Sequence, residues 1–272
     1  MLKSILLSRG SLQFLASIVL GASLFSGCAT APKPPVALRV MTYNIQHGAG
    51  ADNKIDLLRT AEAIKREHPD IVALEEVDKG VERTARRDLT AELAALTGMT
   101  GYFNNNFFFQ GGEYGNAVLT RFPILSSTNS HYKMIRPKEQ RGIIQLTLDV
   151  KGRKVLFMVT HIDYRGDDTE RLLNADEIRK FIKPYGSLPM FLCGDFNDIP
   201  GSRTYQKMHE VFSDTWELVG QGPAFTYSSL NPHKRIDYIW TSHNKSIVPV
   251  KAWVPNTKAS DHFPLVADFI LK

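Results

Sequence analysis

Polar side chains that could do chemistry stand at the ends of six apolar segments of the chain. Each segment resembles a buried strand, and each ends in, or contains, a group that a hydrophobic core does not accept unpaired. One such residue is usually a cap, a turn residue or a paired core group, but six in the same relation to a strand indicate a shared site. The residues are Asn44, Glu76, His161, Asp195 with Asn197, Asp237, and Asp261 with His262.

The chemical types in this set favour a hard metal ion and a phosphate group. Carboxylate and amide oxygens suit a divalent cation such as Mg²⁺, and together with the two imidazoles they form an inventory that suits a phosphate. Zinc is not favoured, because the chain has only two cysteines and no Cys/His spacing of the zinc kind. Hydrolysis of a phosphate ester needs charge neutralised on the phosphoryl oxygens and a water aimed at phosphorus, and this set of residues could supply both.

The stretch MFLCGDFNDI, residues 190–199, indicates how a strand could position such groups. Alternate residues of a strand share a face, so Asp195 and Asn197 would point at the same phosphate while the residue between them points into the core. Gly194 allows backbone conformations that a side chain would block. The buried strand would supply rigidity, and its exposed end would supply access.

The apolar patterns predict an α/β fold rich in strands. The predicted strands are ALRVMTYNI, DIVAL, GNAVLTR, GIIQLTLDV, KVLFMVTHI, PMFLCGD, RIDYIW, IVPVKAWV and PLVADFILK. Helices are predicted at residues 55–67 after a cap at Asp52 or Asn53, at 89–96 before Gly98, at 172–182, and briefly after Gly201. For FNNNFFFQGG we favour a buried strand with a turn over a lip that faces lipid. Long strands and hairpins favour mixed, mostly antiparallel sheets packed face to face with helices outside.

The first 27 residues predict a secretory signal. Lys3 and Arg9 give a basic start, and residues 11–25 are apolar and uncharged. The small residues before Cys28 resemble a bacterial lipoprotein signal, in which that cysteine becomes the lipidated N-terminus; an ordinary cleaved signal and an uncleaved anchor are the alternatives. We expect an exported, membrane-anchored lipoprotein on the periplasmic or cell-surface side. The predicted regions are a signal peptide at 1–27, a Pro-rich tether at 28–37 and one domain at 38–272.

Composition and charge indicate a globular domain without a strong pull toward nucleic acid. The chain has 43% hydrophobic and 22% charged residues, which is ordinary for globular proteins. Its net charge of +5 becomes +3 when Lys3 and Arg9 leave with the signal, which is a weak field for duplex DNA. With Cys28 lipidated, Cys193 has no cysteine partner, so we expect a small buried side chain and no disulfide. We also expect a monomer.

The motifs TYNI, ALEEV, YGNAVLTRFPI, THID, GDFND, RIDYI and SDHFPL, in this order, resemble the endonuclease/exonuclease/phosphatase superfamily. The resemblance covers residues 38–272. It implies a four-layer α/β sandwich, with two packed mixed β-sheets flanked by helices and an active site at one end. It also implies a hydrolase of phosphate esters that uses Mg²⁺, with Mn²⁺ or Ca²⁺ as alternatives.

The resemblance assigns metal-binding roles to three residues. Family members usually carry Gln-Glu where this chain has Glu75–Glu76, and Glu76 occupies the position of the main metal ligand. Asn44 resembles the residue that helps to hold the metal or its waters. Asp261 is a candidate ligand for a second metal position.

The resemblance also assigns the catalytic roles. Asp195 would position or deprotonate the attacking water, and Asn197 would hydrogen-bond the phosphate or the nucleophile. His161 would contact the phosphate or protonate the leaving group. Asp237 would orient His262. Whether Asp195 or His262 is the general base, and whether one or two metals act, stays open at this point.

Further residues are candidates for substrate binding. Tyr114 and Asn116 in EYGNAVL resemble family site residues, and Asn116 would face the phosphate. Arg235 suits either a phosphate or a structural ion pair, His47 could assist substrate binding, and Asp198 suits a cap on the next turn.

The substrate itself stays open at the level of sequence, because one fold serves many chemistries. We favour a phosphodiesterase or phosphatase that acts outside the cytoplasm. A scavenging nuclease and a sphingomyelinase-like lipid phosphodiesterase are the alternatives. A binding lipoprotein without activity is disfavoured, because the main ligands are all present.

Overall fold

The computed structural model describes residues 33–272, whose strands form two six-stranded mixed sheets. The first sheet has the spatial order β11 (Ile247–Trp253), β12 (Leu265–Leu271), β1 (Val36–Asn44), β2 (Ile71–Lys79), β4 (Gly112–Thr120) and β3 (Thr100–Phe109). The second has the order β5 (Ile124–His131), β6 (Gly142–Val150), β7 (Arg153–His161), β8 (Met190–Asp195), β10 (Asp237–Ser242) and β9 (Phe212–Asp214). The β1–β2 and β7–β8 pairs are parallel, and the other paired neighbours are antiparallel.

The N-terminal predictions fall largely outside the described residues. The predicted signal at 1–27 and the lipidation site Cys28 lie there entirely. Strand β1 begins at Val36, inside the predicted tether. No helix within residues 33–272 is long and apolar enough to cross a bilayer.

The described residues contain five α-helices. They are α1 (Leu57–Glu67), α2 (Leu89–Thr97), α3 (Thr169–Phe181), α4 (Arg203–His209) and α5 (Thr215–Val219). The predicted cap of α1 at Asp52 or Asn53 is wrong, because the Asp56 carboxylate accepts the backbone N–H groups of the first turn. Asp52 instead pairs with Arg59, at 3.0 Å between oxygen and nitrogen. Helix α2 ends at Gly98 as predicted, with that glycine in the left-handed region.

Strand alternation divides the apolar side chains among three buried clusters and so produces four layers. Val40 on β1 and Phe191 on β8 belong to the cluster between the two sheets. Met41, the next residue of β1, faces the other way and packs with Leu57 and other residues of α1 and α2. Leu192 on β8 likewise packs with α3 and α4. The predicted four-layer sandwich is therefore confirmed.

Two edge strands differ from the sequence-based expectation. Strand β5, ILSSTNSH, was not predicted, because it carries no apolar alternation. It is mostly exposed at a sheet edge. The FNNNFFF segment does form a strand and a turn, but β3 is a half-buried edge strand rather than a buried one. Phe108, between two half-buried phenylalanines, is 79% exposed.

The strand register collects the polar ends at one end of the sandwich. In the first sheet Asn44 lies opposite Glu75. In the second sheet His161 and Asp237 lie opposite Asp195 on its two sides. Asn44, His161 and Asp195 are the last residues of β1, β7 and β8, whereas Glu75 lies in the middle of β2 and Asp237 begins β10.

Candidate active site

A cleft with a volume of about 390 Å³ opens where these strands end. Among the predicted site residues, its lining includes Glu76, Tyr114, His161, Asp195, Asn197, Asp261 and His262. The other predicted residues, Asn44, Asn116 and Asp237, are buried beside or behind that lining. The structure therefore brings the candidates from separate motifs into one neighbourhood.

The Asn44 side chain joins carboxylates from the two sheets. Its Nδ2 donates to Glu76 Oε1 at 3.1 Å and to Asp195 Oδ2 at 3.2 Å. Its Oδ1 accepts the backbone N–H of Gln46 at 3.1 Å, which fixes the amide plane. One buried amide thus holds the carboxylates of Glu76 and Asp195 next to each other.

A distortion of β2 directs Glu76 into the cleft. The pairing of β2 with β4 shifts between Leu74 and Val77, and Glu76 has a φ of 58° in the left-handed region. That conformation costs a non-glycine residue on the order of 1–2 kcal/mol, so the surrounding structure must impose it. The neighbouring Glu75 is fully buried and accepts the Thr42 hydroxyl at 3.1 Å. Of the two adjacent glutamates, only Glu76 lines the cleft.

Asp195 occupies the centre of the polar cluster. Its Oδ2 lies 3.6 Å from His161 Nε2 and 3.7 Å from His262 Nε2, while its Oδ1 accepts the backbone N–H of Asn197. Burial, and then the nearby Asp237 carboxylate, raise the pKa of Asp195 to about 7. Gly194 permits this packing, since a Cβ there would overlap the Thr160 carbonyl oxygen of the neighbouring strand.

His262 and Asp237 form a buried imidazole–carboxylate pair. The Nδ1 of His262 donates to Asp237 Oδ2 at 3.0 Å. Burial acts to lower the pKa of His262, but Asp237, through charge and hydrogen bond, and then Asp195 raise that pKa to about 10. The ring also packs against Tyr227, with 4.9 Å between ring centroids. This histidine is therefore held as an imidazolium in one orientation.

His161 is in the opposite electrostatic situation. Burial lowers the pKa of His161 well below its usual value, and the positive charges of Arg141 and His262 lower it further. Its Nε2 is 2.9 Å from Nδ2 of Asn197, which also donates to the Ile162 carbonyl at 3.2 Å. The cleft thus holds one neutral and one charged imidazole, an arrangement that separates their chemical roles.

The carboxylates of the site fit a divalent cation. No cationic side chain of residues 33–272 lies within ion-pair distance of Glu76, although burial raises the pKa of its carboxyl. Glu75 Oε2 and Asp237 Oδ1 are buried without a hydrogen-bond partner in that range. A buried carboxylate without a counter-ion, such as that of Glu76, is costly unless a cation offsets its charge.

Two sets of these groups could hold the ion. Ligand atoms of Asp195, Asp237 and His262 lie within 4.8 Å of one another. The Nδ1 of His262 is already engaged by Asp237, however, so that pair is better suited to proton transfer. The carboxylates of Glu76 and Asp195, which Asn44 joins, suit a hard cation better.

Four weaker candidates have other contacts. Arg235 forms a buried ion pair with Asp214, at 2.6 Å between nitrogen and oxygen. Of its two predicted roles, the structure therefore shows the structural ion pair. Asp198 accepts from Arg171 at 3.1 Å and from the Ile199 backbone N–H at 3.0 Å, and so fixes the turn after β8. His47 is not part of the cleft lining. Asn116 donates to a backbone carbonyl, that of Gly142, at 3.4 Å, rather than facing the cleft.

Sequence reasoning missed several cleft residues. The lining also contains Arg83, Arg141, Tyr164, Tyr227 and Lys234, all of which lie outside the named strands and α-helices. The single available signal was Arg141, a cation that directly precedes the apolar run GIIQLTLDV. A charged residue before a strand is too common to indicate a site by itself.

The two-sheet sandwich and its cleft of carboxylates and imidazoles define a hydrolase of the phosphate-ester class. The chain belongs to the Endonuclease/Exonuclease/phosphatase family, whose model matches residues 41–262 and whose members hydrolyse phosphate esters. It is 25% identical over 252 residues to the uncharacterized protein YbhP of Escherichia coli, covering 86% of this chain and 97% of YbhP.

Solved structures share the fold. An endonuclease/exonuclease/phosphatase from Beutenbergia cavernae has a TM-score of 0.73 and 24% identity, over 86% of this chain and 72% of that one. The mannosyl-6-phosphatase Bt3783 of Bacteroides thetaiotaomicron has a TM-score of 0.69 and 19% identity, over 85% of this chain and 99% of that one. At these identities the likeness concerns the fold alone.

Proposed function

We propose that this protein is a divalent-metal-dependent phosphodiesterase or phosphatase that acts outside the cytoplasm. The observation that carries the proposal is the pair of carboxylates, Glu76 and Asp195, that one buried amide joins beside the imidazolium of His262. Groups that bind a cation and groups that bind an anion thus stand within a few ångströms of each other, as hydrolysis of a phosphate ester requires.

The metal would be held chiefly by Glu76, with Asn44 and Asp195 next to it and Asp261 as the candidate at a second position. When bound, Mg²⁺, or Mn²⁺ or Ca²⁺ in its place, would neutralise charge on the phosphoryl oxygens. Such a counter-charge would offset the Glu76 carboxylate, which otherwise repels the negative substrate.

The remaining residues orient the reactants and handle protons. Asp195, with one oxygen facing both imidazoles, is placed to orient the attacking water and to take its proton. The Nε2–H of His262 donates to a phosphate or leaving-group oxygen, and Asp237 fixes that ring. Neutral His161 and Asn197 lie on the other side of the site. His161 and Ile162 engage the Nδ2 of Asn197, so its amide oxygen would accept a hydrogen bond from the attacking water.

A substrate and metal panel tests the proposal. The purified full chain is incubated with Mg²⁺, Mn²⁺, Ca²⁺ or excess EDTA, and with DNA, RNA, sphingomyelin, phosphatidylinositol, inositol phosphates and nucleotides. We expect turnover of at least one phosphate ester that depends on metal and stops in EDTA. Hydrolysis that persists undiminished in EDTA, or no hydrolysis of any phosphate ester, would contradict the proposal.

A lipid phosphodiesterase is the second candidate, and the exposed Phe108 favours it. This residue stands between Phe107 and Phe109, which both line the cleft, and it is 79% exposed. Strand alternation directs Phe108 away from the cleft, and a large exposed ring on an edge strand beside an active site suits contact with an apolar surface. Preferential hydrolysis of the two lipids in the panel would select this candidate over a small soluble ester.

Lipid anchoring at Cys28 is a separate proposal, which rests on the apolar signal and the small residues before this cysteine. A diacylglyceryl group would hold the protein firmly on the membrane, because two acyl chains bind far more strongly than one. We expect wild type in the membrane fraction with a lipid adduct by mass spectrometry, and Cys28→Ser unprocessed. A mature N-terminus elsewhere, without an adduct, would instead indicate a soluble secreted enzyme.

A further inference from the structure

The guanidinium of Arg141 lies in the cleft wall with part of its hydrogen-bonding capacity unused. Arg141 is only 5% exposed. Its Nη2 donates to Glu139 Oε2 at 2.9 Å, but its Nη1 is buried without a hydrogen-bond partner among residues 33–272. A buried, charged donor without a partner is costly, so its retention in a cleft indicates a group that the protein chain does not itself supply.

The backbone at Arg141 is held rigidly. Its carbonyl accepts the side-chain amide of Gln140 at 2.8 Å and the backbone N–H of Tyr132 at 3.0 Å. The next carbonyl, that of Gly142, accepts the Thr160 hydroxyl at 3.0 Å. A Cβ at Gly142 would lie 2.8 Å from a side-chain oxygen of the neighbouring β3 strand, so only glycine fits there. The backbone that carries the arginine is therefore fixed, and Glu139 holds one side of its guanidinium.

The surroundings of Arg141 match an anion at the reacting position. The side chain shares the cleft lining with Glu76, His161 and Asp195, and its charge is close enough to act on the first two. On its outer side the guanidinium faces Tyr164, 5.5 Å from the ring centroid. A planar guanidinium fits phosphate oxygens better than an ammonium does, because its N–H groups form a rigid fork.

We propose that Arg141 binds a non-bridging oxygen of the substrate's phosphoryl group from the His161 side of the cleft. The inference deepens the proposed function and rests on it for the identity of the substrate. Binding of free phosphate, however, requires no hydrolysis and can be measured by itself. Glu139, which is half-buried beside the arginine, holds Nη2 and leaves Nη1 for the ligand.

The first test is calorimetric titration of the full chain with inorganic phosphate in the presence of Mg²⁺. Arg141→Met should weaken phosphate binding by about 10-fold to 100-fold, as expected for one charge-assisted hydrogen bond. Arg141→Lys, which keeps the charge but loses the fork, should lie between Met and wild type. Arg179→Met is the matched control, because Arg179 pairs with the exposed Glu210 outside the cleft, and its phosphate affinity should equal that of wild type.

The second test is chemical rescue. Arg141→Ala leaves space for a guanidinium ion, so added guanidine at sub-denaturing concentration should restore part of its kcat/KM and leave Arg179→Met unchanged. A purely structural arginine would not respond in this way. If Arg141→Met does not fold, the phosphate affinity of the lysine variant and the rescue of the alanine variant still test whether Arg141 binds phosphate.

The outcomes separate this inference from the proposed function. Phosphate binding that depends on Arg141 in a protein that hydrolyses nothing would support the anion site and contradict the hydrolase. Metal-dependent hydrolysis with unchanged phosphate affinity in folded Arg141→Met and Arg141→Lys would overturn the inference alone. Failure of wild type to bind phosphate at millimolar concentration would also overturn it.

Discussion

Glu76→Gln is expected to lower kcat/KM by about a thousandfold or more, while the protein stays folded. A loss of that size corresponds to about 4 kcal/mol, which is the scale of transition-state stabilisation by a bound metal. Glutamine keeps the shape of the side chain, and its carbonyl oxygen can still accept the Asn44 amide. Because burial raises the pKa of the Glu76 carboxyl, the neutral substitute should not destabilise the metal-free fold.

Three measurements check this expectation. Thermal unfolding in EDTA should give Glu76→Gln a Tm at least equal to that of wild type. Added Mg²⁺ or Mn²⁺ should raise the Tm of wild type but not that of the variant, since only a protein that binds the ion gains stability from it. Glu62→Gln, on the exposed face of α1, is the control and should behave as wild type. Undiminished turnover in Glu76→Gln would refute the assignment of the main ligand.

The sequence predicts which end of the sandwich carries the site, because each of these strands joins an apolar run to a polar residue that a core would not accept unpaired. A run such as MFLCG, which belongs in a core, leads directly to Asp195, which does not. Where several strands show the same conflict, their ends must meet outside the core, and the register of β7, β8 and β10 confirms that they do. The resemblance to a family then supplied the layer order, which the pattern alone did not.

The direction of individual side chains could not be predicted in the same way. Strand alternation says that Glu75 and Glu76 face opposite ways, but which one enters the cleft depends on a shift in the pairing with β4. That shift arises from contacts with a strand about 40 residues away in the chain, and no local pattern encodes it. The family motif, not periodicity, selected Glu76.

Partners that come from distant segments were equally hidden. Arg235 precedes the site residue Asp237, yet it pairs with Asp214, a contact that only the folded chain shows. Arg141 is the reverse case, because its charge faces the cleft without an acidic partner at Nη1. In both cases the local sequence is the same kind of cation beside a strand, and tertiary packing decides between an ion pair and a binding site.

Asp195 and His262 should behave as one unit in a double-mutant cycle. Their charged atoms are 3.7 Å apart, and each acts on the same reacting group in the proposed mechanism. Removing Asp195 should not unfold the protein, because burial and Asp237 raise the pKa of this carboxyl to about 7. The native state then holds that proton more tightly than the unfolded chain does. The carboxylate therefore costs stability as pH rises from about 4 to about 7, and Asp195→Asn should be at least as stable as wild type in EDTA at pH 8.

We expect Asp195→Asn and His262→Ala each to lower kcat/KM by several orders of magnitude, and the double variant to be little worse than the poorer single one. Groups that serve one transition state are not independent, because losing either disables the step that both support. Asp237→Asn should cost less, about 10-fold to 100-fold, since the imidazole stays in place and loses only the carboxylate that orients it and raises its pKa. The measurement is kcat/KM of all four variants with the best ester of the panel at saturating Mg²⁺. Losses that multiply in the double variant would mean that Asp195 and His262 act in separate steps.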